Sequence, residues 1–322
     1  MDRATQESSE HTVTQLITFL PNNLPLPKSL SDTLPRNASD TIDLETSIAY
    51  CHSLARDHYE NFHVGTWFLP KAIRTHAYNV YAYCRWADDL ADESKDTATA
   101  TALLGWWRAA FQSAMDGNSH HPVMLAVAHT IRELSLPTEP FTDLLSAFEE
   151  DQVRFRYQTF DELLAYCQKS ANPVGRIFLR LLDIRNDEAD RLSDLTCTGL
   201  QLANHWQDIE RDLRKGRIYI PLEDMQSFGV NEEDLAAPAA NDPTRRLIEF
   251  EVRRAEDFLR RGQEILPHLH GRGRLDVDLF TRGGLAICTA IRRQGYDVLH
   301  RRPRIGAIRK VFLLLGALVR CP

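Results

Sequence analysis

The chain shows helical periodicity almost everywhere from residue 45 onward, and the alternating pattern of a half-buried strand is absent. In the stretch 71–93, apolar residues recur every three or four positions and form one face of a predicted helix: Val80, Tyr83, Cys84, Ala87 and Ala91. The stretch 198–221 has the same period on Leu202, Ala203, Trp206, Ile209 and Leu213, and Gly216 is its predicted end. We predict an all-α protein with a disordered arm over 1–44, a helical domain over 45–305 and a basic, apolar C-terminal tail over 306–322.

Both predicted helices also carry a polar stripe in which two aspartates stand four residues apart. The first stripe is Tyr81, Arg85, Asp88 and Asp92, and the second is Gln201, Asn204, Asp208 and Asp212. Like charges at this spacing destabilise a helix slightly unless solvent or a cation separates them. Carboxylate oxygens suit Mg2+, which is often shared with substrate phosphates. The stripes therefore predict two helices that face each other and hold Mg2+ ions and a diphosphate.

A solvated acidic face is the competing interpretation, and either stripe taken alone favours it. The common spacing and the nearby arginines and tyrosines favour the metal site. Guanidinium groups bind phosphate oxygens bidentately, and aromatic faces stabilise a carbocation.

Charge is distributed unevenly along the chain. The net charge is −7, yet the segment from Arg245 to Pro322 holds 17 Lys and Arg against 8 Asp and Glu. The acidic remainder argues against a nucleic-acid partner, whereas the basic end indicates contact with phosphates or an anionic membrane, or is a solvated basic helix. The run Val311–Val319 is too short to span a bilayer.

Six scattered cysteines and the lack of a signal peptide predict reduced thiols in the cytoplasm, with association at the inner membrane face through the tail.

Four motifs in order carry a resemblance to the squalene/phytoene synthase family. Residues 81–93, YAYCRWADDLADE, resemble that family's YAxCRxxDDxxDE, and residues 201–221, QLANHWQDIERDLRKGRIYIP, are similar to its QxxNxxRDxxEDxxxGRxYxP. Residues 166–175, YCQKSANPVG, are similar to YCxxVAGxVG, and residues 58–62, HYENF, occupy the place of HSKSF. The resemblance covers about residues 48–300.

The resemblance implies an isoprenoid synthase fold, a single all-α domain with a central cavity, and a set of site residues. Asp88 and Asp92, with Asp89 and Glu93 in support, would be the first set of Mg2+ ligands, and Asn204, Asp208 and Asp212 the second. Diphosphate or substrate would be held by His58, Asn61, Tyr81, Arg85, Gln201, Gln207, Arg217 and Tyr296. Tyr166 matches a tyrosine near the carbocation.

Where the chain departs from the family motifs, its versions ENF, SANPVGR and LANHWQDIERDL resemble one branch, the hydroxysqualene synthases of bacterial hopanoid biosynthesis. Gln207 stands where the family has arginine, and Ser170 and Asn172 stand where it has valine and glycine. The branch ionises presqualene diphosphate and captures water, so Mg2+ is expected as cofactor and NADPH is not. Ser170, Asn172 and Asn61 are the predicted holders of that water.

Other functions remain open from the sequence. Within the family they are presqualene diphosphate synthase and a one-enzyme squalene synthase that acts on farnesyl diphosphate. An all-α nucleotide pyrophosphohydrolase is an alternative of another class, and a non-catalytic assembly protein is disfavoured by the retained aspartates. The expected partners are an isoprenoid diphosphate and the neighbouring hopanoid-pathway enzymes.

Overall fold

The computed structural model describes residues 25–31, 43–57, 69, 71–119 and 121–306, and these residues form helices and connecting turns with no strand among them. The predicted all-α class is confirmed. The chain divides into two compact units. The first contains the described residues up to Gln152 apart from Leu69, and the second contains Leu69 and the residues from Val153 onward.

The described residues of the first unit form six helices: α1 (Lys28–Ser31), α2 (Leu44–Asp57), α3 (Lys71–Asp92), α4 (Thr97–Met115), α5 (Pro122–Glu133) and α6 (Glu139–Glu150). The apolar face of α3 packs through aromatic rings. Tyr83 lies 5.2 Å from Phe111 and 5.5 Å from Phe141 between ring centroids, and Trp86 stacks on Trp107 at 5.1 Å. This packing fixes the rotation of α3, so its polar stripe lies on the more exposed side.

One turn of helix lies inside the stretch predicted to be disordered. In α1, Leu30 is fully buried, and its backbone N–H donates to the carbonyl of Pro27 at 3.0 Å. Burial of this leucine side chain helps to order the short helix. The polar composition of the surrounding arm does not reveal it. Residues 1–24 and 32–42 lie outside the described residues.

The second unit is built around one long helix. Its helices are α7 (Phe160–Ser170), α8 (Asn172–Leu181), α9 (Asp187–Arg214), α10 (Leu222–Phe228), α11 (Glu232–Leu235), α12 (Asp242–Gly262), a 3-10 turn (Gln263–His268) and α13 (Gly271–Arg293). The side chain of Asn186 caps α9 by accepting from the N–H of Ala189. A Cβ at Gly199 would lie 2.9 Å from the backbone nitrogen of Leu259, so glycine allows α9 and α12 to approach closely.

The end of α9 is set by a glycine in the left-handed region. Gly216 has φ +75°, its N–H donates to the carbonyl of Leu213, and the N–H of Arg217 donates to the carbonyl of Asp212. The chain then runs beside residues 155–157, where the N–H of Ile218 donates to the carbonyl of Phe155 at 3.0 Å. This return places Arg217 and the following residues against the second acidic stripe, and it confirms the predicted helix end.

Candidate active site

The first acidic motif lies along the partly exposed face of α3. Tyr81, Arg85 and Asp88 are half-buried, and Asp92 is exposed. Arg85 forms an ion pair with Asp89 and also lies 3.4 Å from a carboxylate oxygen of Asp88. The predicted stripe is therefore present, with a guanidinium group held among the carboxylates.

Asp89 differs from the other acidic residues of this motif because its side chain is only 2% exposed. Burial raises the pKa of Asp89 to about 6, although Arg85 opposes the shift by stabilising the charged form. One carboxylate oxygen bonds Arg85, and the buried Oδ2 has no hydrogen-bond partner. The geometry makes Asp89 an anchor for Arg85, and its predicted support of the metal stays a prediction.

The second acidic motif lies on α9 and is engaged by an arginine far along the chain. Nη2 of Arg302 donates to Oδ2 of Asp208 at 2.9 Å and to the amide oxygen of Gln207 at 3.2 Å, and its Nε donates to Oδ1 of Asp208. Nε2 of Gln207 donates to the carbonyl of Pro303 at 2.6 Å. Residues 302–303 are thereby fastened to the motif. In the sequence, Arg302 stands out only as one member of a basic run.

Asp212 lies one helical turn beyond Asp208, and its pKa is raised. Burial and the neighbouring Asp208 carboxylate raise the pKa of Asp212 to about 7, while Arg217 acts in the opposite direction. A carboxylate whose charged form is disfavoured by burial and by a second carboxylate one turn away is a donor that a divalent cation would stabilise. The exposed Asn204 adds an amide oxygen on the same face. The residues present therefore fit Mg2+.

Aromatic rings surround Tyr166 beside this motif. The ring of Tyr166 lies 5.5 Å from Tyr157, 5.8 Å from Tyr219 and 6.2 Å from His205. His205 stacks on Tyr219 at 3.8 Å, and its Nε2 lies 3.3 Å from Nε2 of the predicted site residue Gln201. The structure thus places the predicted site residues Tyr166 and Gln201 beside the same residue, His205.

His205 was missed at the sequence level, because it lies between the motif positions Asn204 and Asp208 and reads as an ordinary buried residue. Burial lowers its pKa to about 3, so its imidazole is neutral near pH 7.

The predicted water-holding residues of the second unit have different environments. Oδ1 of the buried Asn172 accepts a hydrogen bond from the hydroxyl of Thr198 at 3.0 Å, so its amide oxygen already has a structural partner. The buried Oγ of Ser170 has no hydrogen-bond partner. A role in holding water stays a prediction for both residues, and the structure favours a packing role for Asn172.

Tyr296 is engaged by another helix. Its hydroxyl donates to Oε1 of Glu249 on α12 at 3.3 Å, and its backbone has φ +59°. The substrate contact predicted for Tyr296 therefore rests on the sequence alone. His58 and Asn61 of the HYENF motif lie outside the described residues, as do residues 307–322 of the tail.

The two acidic motifs belong to different units, so their mutual approach stays a prediction. Within the described ranges, no group of three or more His, Cys, Asp or Glu side chains is arranged to hold a metal ion. Each motif by itself offers fewer ligands than a closed metal site needs, and the remaining ligands would have to come from water and substrate. No helix in the described part of the chain has the length and apolarity needed to cross a membrane.

The family of the protein follows from comparison with known sequences. The family model for squalene/phytoene synthase matches residues 55–309, and the chain belongs to this family. Among curated relatives, the phytoene synthase of Arthrospira platensis is 29% identical over an alignment of 310 residues that covers 92% of this chain and 98% of the relative. The 15-cis-phytoene synthase of Synechocystis sp. is 28% identical over 98% of each chain.

Solved structures of related enzymes also resemble this chain. The squalene synthase HpnC from Alicyclobacillus acidocaldarius is 41% identical, with a TM-score of 0.75 over 82% of this chain and 98% of that chain. A dehydrosqualene synthase in complex with ligand is 26% identical, with a TM-score of 0.77 over 86% and 97% of the respective chains. The protein is therefore an enzyme of the squalene/phytoene synthase type with the all-α isoprenoid synthase fold.

Proposed function

We propose that this enzyme converts presqualene diphosphate into hydroxysqualene by ionising the diphosphate and capturing water, as part of hopanoid biosynthesis. The observation that carries the proposal is the 41% identity to the squalene synthase HpnC, against 26% to the dehydrosqualene synthase and 29% to the phytoene synthase. The sequence departures at Ser170 and Asn172 point to the same branch.

The two acidic motifs are the proposed metal-binding residues. Asp88 and Asp92 on α3, and Asn204, Asp208 and Asp212 on α9, present oxygen donors at helical spacing. When bound, Mg2+ supplies neutralisation of the diphosphate charge and so makes the diphosphate a better leaving group. Before Asp208 can act as a ligand, its carboxylate must exchange the guanidinium of Arg302, which holds both of its oxygens.

Arginine and glutamine side chains near the motifs would bind the diphosphate oxygens. Arg85 is oriented by its ion pair with the buried Asp89, so its remaining N–H groups are fixed in direction. Arg217 follows directly after the left-handed Gly216, beside Asp212. Gln201 lies on the same stripe as Asp208 and approaches His205. Each of these residues would hold negative charge as it develops on the leaving group.

The aromatic cluster would protect and stabilise the carbocation. Tyr166, Tyr157 and Tyr219 present ring faces within 6 Å of one another, and Tyr166 and Tyr219 are buried. A ring face attracts a cation and at the same time excludes bulk water. Tyr166 is the ring that the family motif assigns to this role.

Replacement of the family's arginine by Gln207 does not leave the second acidic motif without a nearby positive charge. The arginine that the family motif carries at this position is absent, yet Arg302 brings a guanidinium group to the adjacent Asp208. The change therefore does not by itself argue against a first condensation of two farnesyl diphosphates. The proposal depends on the similarity to HpnC and not on Gln207.

Product analysis in four incubations tests the proposal. The purified enzyme with Mg2+ is given farnesyl diphosphate or presqualene diphosphate, each with and without NADPH. We expect hydroxysqualene in both incubations that contain presqualene diphosphate, in equal amounts with and without NADPH. Presqualene diphosphate made from farnesyl diphosphate, or squalene made only with NADPH, would establish one of the two alternative family activities instead. Release of diphosphate from nucleotides, with neither isoprenoid consumed, would establish a pyrophosphohydrolase.

We further propose a cytoplasmic protein that docks on the inner membrane face, because its substrate and product are lipids. The basic run that precedes residues 311–319 supports this docking, since each basic residue near an anionic surface contributes about 1 kcal/mol. Binding to anionic vesicles that weakens with salt and is lost on truncation after Arg301 would support it. Equal vesicle binding by the truncated chain would exclude it.

A further inference from the structure

The imidazole of His205 contacts the side chain of Gln201, which is proposed to bind the diphosphate. Nε2 of His205 lies 3.3 Å from Nε2 of Gln201, one helical turn earlier on α9. Residues four apart on a helix share a face, so the helix itself brings the two side chains together. An amide nitrogen donates and does not accept, so this hydrogen bond needs a lone pair on Nε2 of His205 and a proton on its Nδ1.

The buried environment of His205 keeps its imidazole in a form that can accept a hydrogen bond. The side chain is 6% exposed, and burial lowers its pKa to about 3, although the nearby Asp208 carboxylate acts in the opposite direction. A neutral imidazole has a lone pair on one ring nitrogen, whereas an imidazolium has none. The ring is therefore available as an acceptor for Gln201 near neutral pH.

The ring of His205 is held by Tyr219, which follows the left-handed Gly216 at the end of α9. The two rings are stacked, with 3.8 Å between their centroids and 19° between their planes. Tyr219 in turn stacks on Tyr157 at 5.8 Å. This packing restricts rotation of the imidazole, so tertiary structure sets the position of its Nε2. A glutamine side chain tied to such a fixed acceptor loses its rotational freedom before the substrate arrives.

We propose that His205 is a positioning residue, which accepts a hydrogen bond from the Gln201 amide and so holds Gln201 ready to bind the diphosphate. This inference rests on the proposed function, in which Gln201 binds the leaving group. The amide group has two N–H bonds, so one remains for a diphosphate oxygen when the other is given to His205. A donor that is already oriented stabilises the charge that develops on the leaving group without further reorganisation.

Two substitutions at position 205 separate the aromatic ring from the hydrogen bond. His205→Phe keeps a ring to stack on Tyr219 and removes the acceptor. His205→Gln loses the ring and puts an amide oxygen near the position of Nε2, where it can accept from Gln201. Circular dichroism and thermal unfolding establish which variants are folded.

His121→Phe is the matched control, because it makes the same substitution at a histidine in similar surroundings. His121 is 7% exposed, its pKa is lowered to about 3 by burial, and its ring lies 4.4 Å from Trp86 and 4.8 Å from Trp107 between centroids. Neither of its ring nitrogens has a hydrogen-bond partner among the described residues. The control therefore loses a buried imidazole without losing a hydrogen bond.

Kinetics on presqualene diphosphate with Mg2+, followed by release of diphosphate, measure the effect of each substitution. For His205→Phe we expect kcat to fall about ten-fold with little change in KM, because the Gln201 donor acts on charge that develops in the transition state. A ten-fold loss corresponds to about 1.4 kcal/mol. His205→Gln should keep most of the parent kcat despite the lost ring, and His121→Phe should keep the parent kcat.

A double-mutant cycle shows whether His205 acts through Gln201. Gln201→Ala removes the amide that His205 holds, so adding His205→Phe to Gln201→Ala should lower kcat by less than about two-fold. If His205 only supports the packing of the aromatic rings, the same ten-fold loss appears with and without Gln201. That result, or an unchanged kcat in folded His205→Phe, would overturn the inference.

The tautomer of His205 tests the contact without any turnover. In nitrogen NMR spectra of the parent protein with labelled histidine, assigned by comparison with a His205 variant, we expect the proton on Nδ1 near neutral pH. A proton on Nε2 would overturn the inference, because that nitrogen could not then accept from Gln201. If the parent releases no diphosphate from presqualene diphosphate, the proposed function is wrong, and the tautomer still decides whether His205 holds Gln201.

Discussion

Asp276 on α13 is a buried acid without a partner, and it gives a quantitative test of the fold. Its side chain is 1% exposed, and neither carboxylate oxygen has a hydrogen-bond partner. Burial raises the pKa of Asp276 from 3.8 to about 8. Because the charged carboxylate would be poorly solvated there, the native protein keeps the side chain protonated at neutral pH.

The sign of the pH effect follows from proton binding. Between pH 4 and pH 8 the native state holds one proton on Asp276 that the unfolded chain has released, so the free energy of unfolding falls as pH rises. Each pH unit in this window costs about 1.4 kcal/mol. From pH 5 to pH 7 the contribution of this group therefore falls by about 3 kcal/mol, and above pH 8 it no longer changes.

Asp276→Asn removes this titration while keeping the shape of the side chain. Urea unfolding of both proteins, followed by circular dichroism at a series of pH values, gives the difference in free energy of unfolding at each pH. We expect this difference to move in favour of Asp276→Asn by about 3 kcal/mol between pH 5 and pH 7. All other titrating groups cancel in the comparison.

The matched control is Asp257→Asn on α12, whose side chain is 62% exposed and pairs with Arg261. It makes the same substitution at an exposed position and so measures the effect of replacing a carboxylate that is not buried. Parallel pH profiles for the parent and Asp276→Asn would refute the reasoning, because they would mean that Asp276 ionises in the native protein as readily as in the unfolded chain.

Three further predictions concern the acidic motifs and their supports. Asp88→Asn and Asp208→Asn should each lower turnover of the isoprenoid diphosphate by orders of magnitude in a protein that circular dichroism shows to be folded, since each removes a carboxylate proposed to bind metal; Asp208→Asn also weakens the contact with Arg302. Arg302→Gln should tighten Mn2+ binding in the absence of substrate, measured by electron paramagnetic resonance, because it frees the Asp208 carboxylate. Asn172→Ala should lower the free energy of unfolding by about 1–3 kcal/mol, because the buried Thr198 hydroxyl loses its acceptor.

Each of these predictions has a control and a contrary outcome. Full turnover in excess EDTA would exclude a metal requirement for the motifs. For Arg302→Gln the control is Arg301→Gln, which removes an adjacent exposed arginine; equal Mn2+ affinity in both would show that Arg302 does not compete with metal. For Asn172→Ala the control is Asn118→Ala at an exposed position. Equal stability of these two variants would show that the Thr198 hydrogen bond contributes little.

The helices and the acidic stripes follow from the sequence by itself, because their signals are local. The period of Tyr83 and Ala87 predicts which side of α3 is buried, and that prediction is confirmed. The four-residue spacing of Asp208 and Asp212 likewise places both on one face of α9 without reference to the rest of the chain. The motif order identifies the family, which the matching family model confirms.

Only the tertiary structure reveals the contacts between residues that are far apart in the sequence. No local pattern reveals that Arg302 reaches Asp208 across 94 positions, or that His205 stacks on Tyr219. The same limit applies to Asp89 and Asp276, because burial is the largest cause of the raised pKa of each carboxyl group and the neighbouring sequence does not reveal that burial. Desolvation and side-chain pairing depend on distances in space, and periodicity fixes those distances only within a single helix.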